Sequence, residues 1–100
     1  MKLPKLEIKK KGTIKDINNI KKRFEIGNYV LQPQGDNPKK VFILEEIFFE
    51  DGKKEIRVGY YIIGVKGRME GKWVWGEFCP LFPKADLEKL IGKAKERGIL

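Results

Sequence analysis

The sequence predicts an α+β domain: an N-terminal helix, a curved antiparallel sheet of four to five strands, and a C-terminal helix packed on that sheet. A partial barrel is the curled limit of such a sheet. Three observations lead there. Apolar residues recur at helical spacing near each end of the chain. Alternating runs of β-branched and aromatic residues fill positions 41–63 and 72–78. Asp51-Gly52 divides the first of those runs into a hairpin. A chain of 100 residues, 41% hydrophobic and 11% aromatic, is expected to form one domain over 1–100 and to bury a core without metal or disulfide.

Taken in order, residues 3–10 alternate weakly and suit a short edge strand, where lysines discourage pairing with a second chain. Ile14, Ile17, Ile20 and Phe24 then recur at intervals of three, three and four, the spacing of one helical face. Thr13 is placed as the N-cap of this helix, Asp16 as the partner in its capping box, and Gly27 as its stop. Residues 28–32 read as a strand and residues 33–39 as a loop rich in proline and glycine. In the hairpin that follows, a two-residue turn at Asp51-Gly52 sets the register. It puts Glu50 opposite Lys53, Phe48 opposite Glu55, Glu46 opposite Arg57, Ile47 opposite Ile56 and Ile43 opposite Tyr60. One face is then apolar except for Glu45, which a β-bulge at Glu45-Glu46 would turn outward. Both faces are apolar at the base, so the sheet must be covered on both sides there. A glycine-rich connection over 64–71 leads to a strand over 72–78. In the closing helix Leu87, Leu90, Ile91 and Ala94 form the buried stripe, Gly98 is the stop, and Ile99-Leu100 fold back as an apolar anchor.

Composition excludes much chemistry. The chain has no His and no Ser, one Thr and one Cys, so hydroxyl–imidazole triads and Cys/His zinc sites cannot be built from it. Cys79, beside Pro80 and without an imidazole to activate it, reads as buried and inert. No enzymatic activity and no cofactor is expected. No run reaches the ~18–20 apolar residues that span a bilayer, so a cytoplasmic protein without membrane contact is expected. The 18 lysines and 10 glutamates suit a thermophile, whose surface ion pairs gain value with temperature.

The charge is the most informative feature. Of the net +8, residues 1–24 hold nine basic and two acidic groups, a local +7. Such asymmetry points to an anionic partner. The cations in question are Lys9, Lys10, Lys11, Lys21, Lys22 and Arg23, the last three also suiting the final turns of a helix as partners of its dipole. A second group, Arg57, Lys66, Arg68 and Lys72, surrounds Trp73 and Trp75, which alternate onto one face of their strand. Cations for phosphates and rings for unstacked bases are what a single-stranded or looped nucleic acid requires. The competing reading of both tryptophans is as core residues. No specific module supports either reading: Gly64-Val65-Lys66-Gly67 lies between strands instead of helices, and Gly71-Lys72 is followed by Trp and not by Ser or Thr.

Nucleic-acid binding is therefore the leading expectation. The alternative is a protein–protein or self-association module, in which the aromatics, Leu81 and Phe82 form an apolar patch. A third reading, a metal-dependent nuclease, rests on the acidic residues of the hairpin and on Glu45.

Overall fold

The computed structural model describes residues 5–76 and 79–100. Five antiparallel strands lie side by side in sequence order: β1 (Lys11–Lys15), β2 (Lys21–Gln34), β3 (Asn37–Phe49), β4 (Lys54–Ile63) and β5 (Trp73–Trp75). They form a curled half-barrel, and one helix, α1 (Lys84–Glu96), follows. The continuation of the last strand expected at residues 77 and 78 lies outside the described residues.

The expected N-terminal helix is not formed; a hairpin stands in its place. Thr13 faces Arg23 and Lys15 faces Lys21 across β1 and β2. Asp16 makes the reversal. Its N–H donates to the Ile20 carbonyl (3.0 Å), its carbonyl accepts from Asn19 (2.9 Å), and its Oδ1 accepts from the N–H groups of Asn18 (2.8 Å) and Ile20 (3.0 Å). Asn19 sits at φ 64°, a left-handed conformation that asparagine tolerates better than most residues. Asp16 is thus a turn former and Thr13 a strand residue. The isoleucines at 14, 17 and 20 have stiff β-branched side chains that favour the extended chain. Ile17, at the tip, is fully exposed. The edge strand expected over 3–10 is also missing from residues 5–10, where Lys10 only lends its carbonyl to Ile26 N–H (2.7 Å).

The central hairpin closes in the same way, and this corrects its register. Gly52 N–H donates to the Phe49 carbonyl (3.0 Å), Phe49 N–H donates to the Lys53 carbonyl (2.9 Å), and Gly52 lies at φ 87°. The loop is three residues, Glu50-Asp51-Gly52, in place of two. Such loops pair a type I turn with a left-handed residue, so Asp-Gly serves them as well as it serves the two-residue turn. Every pair slips by one: Phe48 faces Lys54, Glu46 faces Ile56, Glu45 faces Arg57, Ile43 faces Gly59 and Phe42 faces Tyr60. The pairing expected between Glu46 and Arg57 is replaced by Glu45 with Arg57.

The bulge expected at Glu45-Glu46 sits across the ladder, at Gly27-Asn28 of β2. Ile26 faces Ile47, yet Tyr29 faces Glu45, so β2 carries one extra residue. Glu46 anchors it, with Oε2 on Lys54 Nζ (2.6 Å) and Oε1 accepting from Asn28 N–H (2.9 Å). Lys54, and then the Asn28 amide, hold this carboxyl below its usual value. At the far end of β2 the expected loop contracts to a tight turn, with Gln34 facing Asn37.

The two faces of the sheet are covered differently. On the helix face, Val30, Phe42, Leu44 and Tyr60 meet Leu90, Ala94 and Ile99, and Phe82 stacks on Phe42 with ring centroids 4.1 Å apart. Phe82 is thus half-buried against the core. Helix α1 is tied to β2 and to the turn after it: Lys93 Nζ donates to the Leu31 carbonyl (2.8 Å), and Asp86 Oδ2 accepts from Gly35 N–H (3.0 Å). Ile99 N–H returns to the Ala94 carbonyl (2.9 Å) and buries its side chain as expected. Leu87 and Leu100 stay partly in solvent. On the open face, among the described residues, no helix lies over β3, yet Val41, Ile43, Glu45 and Ile47 are buried. Their cover comes from the side chains of flanking strands, which the curl brings inward. Among the described residues, no helix is long and apolar enough to cross a membrane.

Candidate nucleic-acid interface

Strand alternation, the β2 bulge and the slipped register together place Phe24 (β2), Glu45 (β3), Arg57 (β4) and Trp75 (β5) on the open face. Arg57 is the centre of this group. Its Nε donates to Glu45 Oε1 (2.8 Å), and its Nη2 lies 2.7 Å from the same oxygen. Its guanidinium carbon stands 4.9 Å from the Phe24 ring centroid and 4.7 Å from that of Trp75. The two rings reach it from strands on either side of β4. Each such contact between a cation and a ring contributes about 0.5–1 kcal/mol at exposed sites and more where water is excluded.

The indole can reach Arg57 only because the intervening residue on β4 is glycine. A Cβ on Gly59 would lie 2.4 Å from Cη2 of Trp75 and 2.6 Å from Cζ2. Tyr61, next along the same face, meets Trp75 edge-on with centroids 5.2 Å apart. Burial, and then the charge of Glu45, push the Tyr61 phenol above its ordinary value.

Glu45 is fully buried, and its Oε2 finds no hydrogen-bond donor among the described residues. Loss of water therefore raises its pKa, and the bond and charge of Arg57 only partly offset that. A buried carboxylate with a single partner is an unstable arrangement unless that partner stays. Arg57 is held in place by this need as well as by its rings. The side chain of Arg57 remains 33% exposed. Both donors on one edge are taken by Glu45, and among the described residues Nη1 and the outer hydrogen of Nη2 have no protein partner.

Beside Arg57 lies a cleft of about 330 Å³, walled by Ile14, Phe24, Ile47 and Phe49, with Glu55 and Arg57 as its charged groups. A second cleft of about 570 Å³ between the hairpin arms mixes Lys11, Arg23, Glu25 and Glu50 and lacks the guanidinium stack.

The cations singled out in the sequence fall into two groups at opposite margins of the sheet. Lys9, Lys10 and Lys11 lead into β1, where Lys11 faces Glu25, whereas Lys21, Lys22 and Arg23 lie on β2 opposite Lys15, Ile14 and Thr13; all six cations are exposed. The last three lie on a strand, not in the final turns of a helix. Lys11 is drawn to Glu25 (3.8 Å), and Lys22 Nζ stands 6.0 Å from the Phe49 ring. Lys66, Arg68 and Lys72 are exposed on the connection before β5, around a short 3₁₀ turn at Gly67–Met69. Trp73 and Trp75 share the open face and are both half-buried, intermediate between core and platform. Of the twelve residues expected at a site, the structure joins Arg57 and Trp75 in direct contact and leaves nine cations in two groups at the margins of the sheet.

Sequence reasoning missed Phe24 and the pairing partner of Glu45, and offered Glu55 only among the acidic residues of the hairpin. Phe24 was assigned to a helix face, although its alternation with Ile26 ahead of Gly27-Asn28 is a strand signal. Cys79 is exposed, contrary to expectation. Among the described residues no three His, Cys, Asp or Glu side chains gather as a metal-ion site. Glu45 and Glu46, adjacent in β3, address opposite faces of the sheet.

The fold and site define a class: a curled antiparallel sheet, helix-covered on one face, carrying an arginine–aromatic stack on the other. The chain matches no protein-family model, no curated protein and no solved structure.

Proposed function

We propose that the protein binds single-stranded nucleic acid on the open face of its sheet. The observation that carries this reading is the guanidinium of Arg57 lodged between Phe24 and Trp75, at 4.9 and 4.7 Å, on a face with cations at both margins. Aromatic rings and guanidinium planes stack unpaired bases at about 1–3 kcal/mol each, whatever their sequence. Lysines along the β1–β2 arm and before β5 supply the phosphate contacts that such stacking lacks. The division of labour is physical: rim cations fix the backbone and the apolar floor receives bases.

Titration of a twelve-nucleotide single strand, followed by tryptophan fluorescence, tests the reading. With about five phosphates neutralised, log K should fall against log [salt] with a slope of roughly −3.5. Reversing Lys21, Lys22 and Arg23 to Glu should flatten that slope without unfolding the protein, because all three are exposed. Binding no stronger than that of an equally basic control protein, or a slope the triple reversal leaves untouched, refutes it.

A second reading has its own observation. Phe48, Ile56, Val58 and Ile62 line one side of β3 and β4 on the helix face, each 37–42% exposed. A row of that kind suits a protein partner or a second copy. Association through it would persist as salt rises, and the same titration therefore separates the two.

A further inference from the structure

The geometry around Arg57 points to a base preference, and we propose that the cleft beside it receives guanine from the bound strand. This inference rests on the single-strand reading above and adds the identity of the base. The guanidinium is held on three sides: Glu45 takes Nε and one Nη2 hydrogen on one edge, and Phe24 and Trp75 approach from the neighbouring strands. Among the described residues nothing takes the outer fork of Nη1 and Nη2, and it suits two acceptors lying side by side. Guanine O6 and N7 form such a pair, whereas adenine offers one acceptor and one donor there, and cytosine a donor.

Phosphate oxygens also present paired acceptors, but the surroundings argue against them. The cleft walls are Ile14, Phe24, Ile47 and Phe49, and Glu55 stands at the cleft with Arg57. Glu55 lies two residues before Arg57 on the same face of β4, so a carboxylate and a guanidinium border one space. A phosphate would be repelled by Glu55 and would leave the apolar walls wet. Guanine answers both groups: its acceptor edge meets Arg57, and the N1–H and N2–H₂ donors on its unpaired Watson–Crick edge meet Glu55. Bases in single strands expose those edges for recognition. Arg57 needs no ordering step to act, since Glu45 and the two rings already fix its plane.

The test uses the full chain with (dT)₁₂ and with the same strand carrying one central dG, 7-deaza-dG or inosine. One good bidentate contact is worth about 1–3 kcal/mol, so dG should tighten binding roughly 5- to 150-fold over thymine. The 7-deaza base, lacking one acceptor, should forfeit most of that gain. Inosine, lacking the N2 amino group, should forfeit the part owed to Glu55, and Glu55→Ala, which leaves no acceptor on that side chain, should make dG and inosine equivalent. Arg57→Lys keeps a charge for Glu45 but loses the fork, and it should bind (dT)₁₂ as before while losing the dG gain. If that variant does not fold, the 7-deaza comparison on the unaltered protein decides alone. Equal binding of dT and dG strands, or of dG and 7-deaza-dG, overturns the guanine inference and leaves the single-strand reading standing. Failure of every strand to bind overturns both.

Discussion

Gly59→Ala isolates the arginine–aromatic stack with one methyl group. By propensity alone the change is favourable, since glycine within a strand costs roughly 0.5–1 kcal/mol relative to alanine. The structure reverses the sign. The new Cβ would sit 2.4 and 2.6 Å from two atoms of the Trp75 indole. Those atoms belong to a rigid ring, so the whole side chain must rotate away from Arg57. Overpacking of this kind costs about 1–3 kcal/mol, and losing the indole–guanidinium contact adds about 0.5–1 kcal/mol. After the propensity gain, a net loss of about 2 kcal/mol remains. For a domain of this size that lowers Tm by about 8–16 °C. Circular dichroism melts would read the loss, and a red shift of tryptophan emission would report the displaced indole. Gly92→Ala is the matched control: Gly92 lies within α1 with nothing inside 4 Å of its would-be Cβ. That change should stabilise by about 0.8–1 kcal/mol. If Gly59→Ala raised Tm as Gly92→Ala does, with unchanged emission, the stack as described would be refuted.

Two further outcomes follow from the turn and from the buried acid. Gly52→Val should destabilise by about 1–2 kcal/mol or more, because Gly52 holds φ 87° and a β-branched residue resists that region, whereas Gly52→Asn should keep most of the stability; equal melting temperatures for all three proteins would refute the three-residue loop. Glu45, raised above its ordinary 4.5 mainly by burial, favours the native state when protonated, so its contribution is present below that value and is lost as pH rises through the higher folded one. Glu45→Gln removes this titration, and the Tm difference between variant and parent should move in the variant's favour as pH rises above 4.5; Glu46, whose shift is opposite, titrates in both proteins and cancels. A difference that does not change with pH would refute the account of Glu45.

What the sequence by itself determined was mostly local or compositional. The C-terminal helix, its stop at Gly98 and the return of Ile99 follow from apolar spacing and one glycine, both features of contiguous residues. The hairpin around Asp51-Gly52 was legible for the same reason, as were the cationic N-terminal stretch and the absence of His and Ser. The N-terminal hairpin was not. Ile14, Ile17, Ile20 and Phe24 fit a helix face by spacing, and only the turn at left-handed Asn19 and the cross-strand pairing of β1 with β2 make that segment extended. The register was not legible either, because two- and three-residue loops both accept Asp-Gly. Tertiary packing makes that choice. A slip of one residue sets buried Glu45 opposite the guanidinium it requires and sets Gly59 where Trp75 needs room. The site itself joins residues 24, 45, 57 and 75 from four strands, through a bulge and a curl. Each of those contacts depends on how distant strands share one buried space, and no stretch of neighbouring residues carries that information.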